Sequence, residues 1–353
     1  MSLFGASPAS TSASTANNTQ GDLSKDVELA APPEDSISCL SFSPQSEHLA
    51  VASWDSKVRI YEISETGQSM GKALYEHQGP VLSVHWSKDG TKVVSGGADK
   101  AARMFDVQSG QSQQVAAHDE PVRCVRMFQS PNAGEMLVTG SWDKTLKYWD
   151  LRQQQPAATV QMQERVYTLD VCQGLLVCGT AERYINVINL ANPTVIFKTI
   201  QSPLKWQTRV VSCFPDATGF AVGSIEGRCA IQYVEEKNAR FGWDFPFLVR
   251  IFGGLALPLS PPQMSIPVAG HAKSHLMILY RDKDAKHRLK GFPSVGGSIA
   301  STGFNRNGNI FAYAISYDWS KGHQANTPQY PTKVMLHPIK EDEAKPRPVA
   351  KKR

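Results

Sequence analysis

From Asp35 onward, apolar residues come in short alternating runs, each closed by Ser, Gly or Asp. Strict alternation over so few residues predicts half-buried β-strands joined by tight turns, with no helical periodicity to set against it. The chain before that point reads differently. Residues 1–25 are mostly Ser, Thr, Ala and Asn, with almost nothing to bury, and predict a disordered tail. The strand pattern also repeats. Ser-Trp-Asp ends at Asp55, Gly-Ala-Asp at Asp99 and Ser-Trp-Asp again at Asp143, two steps of 44 residues.

Each of these turns has the same surroundings. An apolar strand and a turn come before it, as in Phe42-Ser43-Pro44, Trp86-Ser87-Lys88-Asp89-Gly90 and Phe128-Gln129-Ser130-Pro131. A second strand ending in an aromatic comes after it, at Tyr61, Phe105 and Trp149. Weaker copies carry Gly179-Thr180-Ala181-Glu182 and Gly223-Ser224-Ile225-Glu226, and the last runs from Ile299 to Tyr317-Asp318. A repeat of this length predicts the four-stranded blade of a WD-type β-propeller. In the most complete copy His118, Thr139, Asp143 and Trp149 match the hydrogen-bonded tetrad of such blades; the preceding copy keeps His77, Ser95 and Asp99 but has Phe105 for the tryptophan. The turn carboxylate is expected to accept histidine and backbone N–H bonds and so pin the inner strands together.

Glu226 to Asp318 spans 92 residues, about two periods, so the spacing predicts seven blades with an irregular sixth. The expected organisation is all-β: a disordered tail (1–25), a seven-bladed propeller (26–338) and a charged, basic-ended tail (339–353). Asp26 to Leu29 would supply the outer strand that closes the ring on the last blade. The anomaly lies at residues 239–280. Pro246, Pro258, Pro261, Pro262 and Pro267 fall there and no Ser-Gly-x-Asp turn does, although central strands tolerate proline poorly. Only Leu276 to Tyr280, followed by Asp282-Lys283-Asp284, resembles a third strand and turn of the repeat. Two readings stand: a genuine insertion with a degenerate blade, or a faulty gene model in which non-coding or out-of-frame codons are translated.

Composition narrows the function. Hydrophobic residues at 41% suffice for a packed core, and a net charge of +5 permits acidic partners without demanding them. Six dispersed cysteines (Cys39, Cys124, Cys172, Cys178, Cys213, Cys229) form no C-x-x-C pair and read as reduced thiols of an intracellular protein. There is no signal-peptide layout. Phe245 to Leu259, interrupted by Pro246, Arg250 and Pro258, is too short and broken to span a membrane. No P-loop, G-x-G-x-x-G, G-x-S-x-G or H-E-x-x-H occurs, so neither catalysis nor a cofactor is expected. The His/Thr/Asp set resembles a nucleophile triad, but its partial recurrence every 44 residues marks it as structural. His271 and His275 have metal-ligand spacing only on a helix, which the nearby prolines disfavour, so no metal is expected either. Lys345, Arg347, Lys351, Lys352 and Arg353 form a solvated tail, a phosphate-attracting segment or a nuclear import signal.

Several strings are more specific than a generic WD repeat. Pro32-Pro33-Glu34-Asp35-Ser36-Ile37-Ser38, Ser53-Trp54-Asp55, Ser202-Pro203-Leu204-Lys205-Trp206-Gln207-Thr208-Arg209 and Gly223-Ser224-Ile225-Glu226-Gly227-Arg228 resemble the poly(A) RNA export factor family of WD-repeat propellers, the Rae-one or Gle-two type, and the related Bub-three checkpoint propeller. Phe304-Asn305-Arg306-Asn307-Gly308 and Asp318-Trp319-Ser320-Lys321-Gly322 are similar to the export factors, whereas the checkpoint protein lacks the second string. The resemblance implies a non-enzymatic adaptor that docks on the acidic GLEBS segment of a phenylalanine-glycine nucleoporin and supports mRNA export. It implies residence in the nucleus and at the nuclear pore complex of the nuclear envelope, and also in the cytoplasm. It makes Trp54, Arg209 and Arg228 the expected peptide contacts. Arg165, Arg183, Lys205 and Lys321 are candidates for RNA or mRNP contact, mitotic checkpoint proteins are further possible partners, and no membrane insertion is expected. The rival readings are a Bub-three-like scaffold, a ubiquitin-ligase substrate receptor and a propeller enzyme.

Overall fold

The computed structural model describes residues 21–130, 133–225, 227–235, 265–272, 275–282 and 288–317, together with 319, 322, 324, 326–327, 329–340 and 343. A short strand, β1 (Val27–Glu28), is followed by the first blade: β2 (Ile37–Phe42), β3 (His48–Ser53), β4 (Lys57–Ile63) and β5 (Ser69–Glu76). The second is β6 (Val81–Trp86), β7 (Lys92–Gly97), β8 (Ala101–Asp106) and β9 (Ser112–Ala117). The third is β10 (Val122–Ser130), β11 (Gly134–Ser141), β12 (Thr145–Asp150) and β13 (Ala158–Gln161). The fourth is β14 (Val166–Cys172), β15 (Leu175–Thr180), β16 (Tyr184–Asn189) and β17 (Ile196–Gln201). The fifth has β18 (Thr208–Cys213), β19 (Gly219–Ser224) and β20 (Cys229–Tyr233). Within each blade consecutive strands pair antiparallel.

The apolar pattern now has a cause. Five core clusters straddle two consecutive blades, so each of the first four blades is buried on both faces. In β7, Val93 packs toward Tyr75 and Trp86, while its neighbour Val94 packs toward Val122 and Leu137. The second strands are accordingly buried along nearly their whole length, as in Leu175–Thr180 and Gly219–Ser224, and read as continuous apolar runs. Close approach explains the glycines there. A Cβ on Gly96 would lie 2.8 Å from the Val122 side chain, and one on Gly140 would lie 2.6 Å from Val166.

The chain ends close the structure. The last blade consists of β24 (Ile299–Phe304), β25 (Ile310–Ile315) and β26 (Lys333–Pro338), and β1 is its outer strand, with Val27 opposite Leu336. Behind this short pairing is a buried ionic latch. The His337 ring lies 2.6 Å from Asp26 and 3.0 Å from Glu343, and the Tyr313 hydroxyl donates to Asp26 at 2.6 Å. Packing begins as early as Gly21, whose amide donates to Gly291, and Leu23 packs beside Phe292.

The expected seven-bladed ring is corrected: six sheets pack as blades, not seven. Between β20 and β24 lies a three-stranded sheet, β21 (Ser265–Ala272), β22 (His275–Asp282) and β23 (Arg288–Gly291). Its first strand touches β24, but among the described residues no blade-to-blade seam with β18 forms. The physical reason is legible in the segment: it has no Ser-Gly-x-Asp turn of the kind that pins two strands, and it carries the prolines that disfavour a central strand. Leu276 to Tyr280 does form a strand, the middle one of that sheet. No helix among the described residues is long and apolar enough to cross a membrane.

The latch should make stability pH-dependent. Burial opposes the charged ring, but the hydrogen bonds and charges of Asp26 and Glu343 outweigh it and raise the His337 pKa from 6.5 to about 9. A raised histidine pKa stabilises fully below the unfolded value and is lost as pH climbs through the folded one. Urea unfolding of wild type and His337→Gln should therefore differ by roughly 2–3 kcal/mol near pH 6, with the gap closing above pH 9. A gap that is constant with pH would mean the latch carries no charge.

Candidate functional site

One backbone bond recurs in every blade and defines a face. The amide at each turn between the second and third strands donates to the residue just before the first strand: Trp54 to Ser36, Ala98 to Pro80, Trp142 to Pro121, Ala181 to Arg165, Ile225 to Gln207 and Ser316 to Ser298. All six turns and all six strand entrances thus share one side of the molecule.

An aspartate side chain builds the turns of the first three blades. Asp55, Asp99 and Asp143 each accept the amide two residues on, from Lys57, Ala101 and Thr145. Between them Ser56, Lys100 and Lys144 adopt left-handed backbone conformations, with φ of 68°, 64° and 67°. A side-chain bond across the turn offsets the cost of that geometry for a residue bearing a Cβ.

Below the turns the tetrads join strands. Burial works against the Asp143 carboxylate, yet bonds from Thr145 and His118 prevail and hold its pKa below the ordinary value. The ionised carboxylate fixes the tautomer: His118 Nδ1–H donates to Asp143 at 2.7 Å, leaving Nε2 to accept from the Thr139 hydroxyl at 2.7 Å. Trp149 Nε1 donates to the same hydroxyl oxygen at 2.8 Å. Thr139 is fully buried and its oxygen is engaged twice, so this set joins strands rather than presenting a nucleophile. The second blade lacks the tryptophan. There the Tyr75 hydroxyl donates to Ser95 at 2.9 Å, and Phe105 stacks flat on Tyr75 at 4.9 Å. A tyrosine from another strand replaces the missing indole N–H.

The turn face brings together most of the residues the sequence singles out. Trp54 does not stand alone: Trp319 stacks on it at 4.6 Å and 17°, so one face of the ring is covered from within the chain. Trp319 itself has a left-handed backbone (φ 59°), a strained conformation for so bulky a residue, and its buried indole N–H has no partner among the described residues. Arg209 is exposed at the first-strand entrance of the fifth blade, and Arg228 is half-buried beyond that blade's turn. Arg165 and Lys205 are exposed; Arg165 lies 4.0 Å from Glu164. Arg183 donates to the Leu204 carbonyl at 3.0 Å. Lys321 lies outside the described residues. Trp142 and Trp206, exposed on this face by 36% and 52%, were not singled out, although both lie inside quoted motifs. A large aromatic in a polar turn is the signal that could have found them.

Charge on this face is lopsided. Arg165, Arg183, Lys205, Arg209 and Arg228 belong to the fourth and fifth blades, against Glu164 and Glu182. Glu34, Asp35, Asp119 and Glu120 gather at the entrances of the first and third. Among the described residues no group of His, Cys, Asp or Glu could hold a metal ion.

Repeated blades, tetrads and a single turn face define a WD-repeat β-propeller. The family model of the WD domain, G-beta repeat, matches residues 28–62, 68–106 and 110–150. The crystal structure of the WD40 β-propeller domain of Doa1 superposes with a TM-score of 0.67 at 16% identity, covering 90% of this chain and 97% of that one, a likeness of fold alone. The chain is 58% identical to the mRNA export factor GLE2 of Chaetomium thermophilum and 57% identical to the poly(A)+ RNA export protein of Schizosaccharomyces pombe, with 99% of each partner covered in both cases. It is 41% identical to the protein Rae1 of Drosophila melanogaster, over 91% of this chain and 96% of the relative. The chain belongs to the mRNA export factor family of the Gle2/Rae1 type.

The tetrads make unequal demands on their hydroxyls. Thr139→Val strands both the His118 and the Trp149 ring nitrogens and should cost about 2–4 kcal/mol, while Tyr75→Phe removes one donor and should cost about 1 kcal/mol. Chemical denaturation of the two variants checks the ratio, and equal losses would refute the compensation assigned to Tyr75.

Proposed function

We propose that the turn face is a non-catalytic docking surface that binds the acidic GLEBS segment of a phenylalanine-glycine nucleoporin, and that the chain thereby supports mRNA export at the nuclear pore, moving between nucleus and cytoplasm. The observation that carries this reading is the concentration of arginines on the fourth and fifth blades beside exposed Trp206. Arginine pairs with carboxylates through two parallel bonds, and Trp and Arg dominate interface hot spots. Trp54 and Trp319 enter as one stacked unit. The names of the two fungal relatives, an mRNA export factor and a poly(A)+ RNA export protein, support the same cellular role.

Direct RNA contact is a second reading, favoured by Arg165, Arg183 and Lys205 around Trp206, which together offer phosphate-binding cations and a stacking surface.

Calorimetric titration of the full chain with a synthetic GLEBS peptide tests the docking. Wild type should bind, and Arg209→Glu with Arg228→Glu should weaken binding roughly a hundredfold or more, the loss expected when a desolvated charge pair is broken. A folded wild type that ignores the peptide, or a double variant that binds as well, would overturn the proposal. Binding of a checkpoint-kinase peptide instead would favour the Bub-three-like scaffold.

A further inference from the structure

The first strand of every blade carries the same irregularity. Its register with the second strand skips one residue near the turn face: Ser38, Leu82, Arg123, Tyr167, Arg209 and Ala300 in turn. A bulge re-aims the extra side chain. All but Leu82 line a cavity of about 140 Å³ between the first strands, the central channel of the propeller.

Its lining is rich in arginine. Among the described lining residues Arg123, Arg126 and Arg209 face one carboxylate, Asp170. That carboxylate is occupied: Oδ1 accepts from Arg126 Nε at 3.1 Å and Oδ2 from the Cys213 amide at 2.8 Å. Arg123 donates to the Leu82 carbonyl at 3.0 Å, a neutral partner that leaves its charge in place. Behind Arg126, His85 accepts the Met127 amide, and burial together with the Arg126 charge pushes its pKa down to about 3, so the ring stays neutral and adds no charge. The lining hydroxyls of Ser83 and Ser301 accept strand amides and keep their own protons to donate.

We propose that the channel mouth is a binding site for a small phosphate-type dianion, held between Arg123 and Arg209 with Tyr167 on the blade between them. Guanidinium groups and hydroxyl donors are the phosphate-recognising set, and a cavity walled by strands concentrates their field. The volume admits an anion of a few heavy atoms with water, which suits free phosphate or the terminal phosphate monoester of a nucleotide chain.

Thermal unfolding of the full chain, with inorganic phosphate replacing chloride at constant ionic strength, tests the site. Phosphate stabilises most proteins by exclusion, a trend that does not saturate, whereas a bound ion gives a saturating rise. Wild type should show the saturating component. Arg123→Gln with Arg209→Gln should lose it, and the charge-matched Lys72→Gln, Lys198→Gln pair on the outer strands should keep it. If the double channel variant does not fold, Arg209→Gln alone, at an exposed position, should weaken it, read also as reduced broadening of the phosphate ³¹P line. A 5′-phosphorylated trinucleotide that competes better than its unphosphorylated form identifies a chain end as the source; competition by inorganic phosphate alone identifies the free ion. A non-saturating response in wild type, or one unchanged in the channel variants, overturns the proposal. No peptide is present, so this failure and failure of the docking are distinguishable.

Discussion

A propeller lives with an awkward edge. The first strand of each blade pairs on one side only and turns its other row of backbone groups toward the channel, where an unpaired edge is costly. Here those groups are stitched across blades by the residue just after each bulge. Cys39 donates to the Val84 carbonyl, Ser83 accepts from Val125, Cys124 bonds the Leu169 backbone, Thr168 accepts from Val211 and Ser301 accepts from Leu40. Every such side chain offers sulfur or oxygen at one fixed register position. The fifth blade has Val210 there, which can do neither, and this is the blade after which, among the described residues, no packed neighbour forms. The ring is continuous where the stitch exists and interrupted where it is missing.

The same dependence explains what was legible in the sequence. The turn aspartates and the tetrad of the third blade declare themselves, because each needs one residue type at one spacing. The blade count did not follow from spacing. Counting periods between Glu226 and Asp318 supposes that any segment of the right length folds as a blade. Length supplies neither the turn carboxylate nor the side chain that ties one first strand to the next. Val210 was in plain view as an apolar residue in an apolar strand; only the register, which tells a channel-facing stitch from a core position, makes its lack of a polar atom meaningful.

Other features depend on contacts between distant parts of the chain, which no local pattern reports. Trp54 looked like a ring awaiting a partner, and the structure supplies Trp319 from the other end of the chain. Glu343 falls in a stretch that reads as solvated tail, yet it is buried against His337. The substitution of Phe105 for tryptophan looked like a weakened tetrad until Tyr75, on the outer strand of the preceding blade, proved to donate in its place. In each case the residue type was visible and its partner was not.

The bulge connects this architecture to function. To close the ring, the first strand must gain one residue at its entrance, so that the stitching side chain behind it faces the next blade. That extra residue is left at the channel mouth, where Ser38 and Arg123 each donate to a carbonyl of the neighbouring blade, at Val81 and Leu82. In the first, second and last blades it is Ser38, Leu82 and Ala300. In the third, fourth and fifth it is Arg123, Tyr167 and Arg209, on or beside the blades that carry the turn-face arginines. A position created by the geometry of closure is therefore one at which the blades differ in chemistry while sharing a backbone. The positive field of the channel mouth and that of the turn face then reinforce each other, drawing acidic groups toward the same half of the molecule.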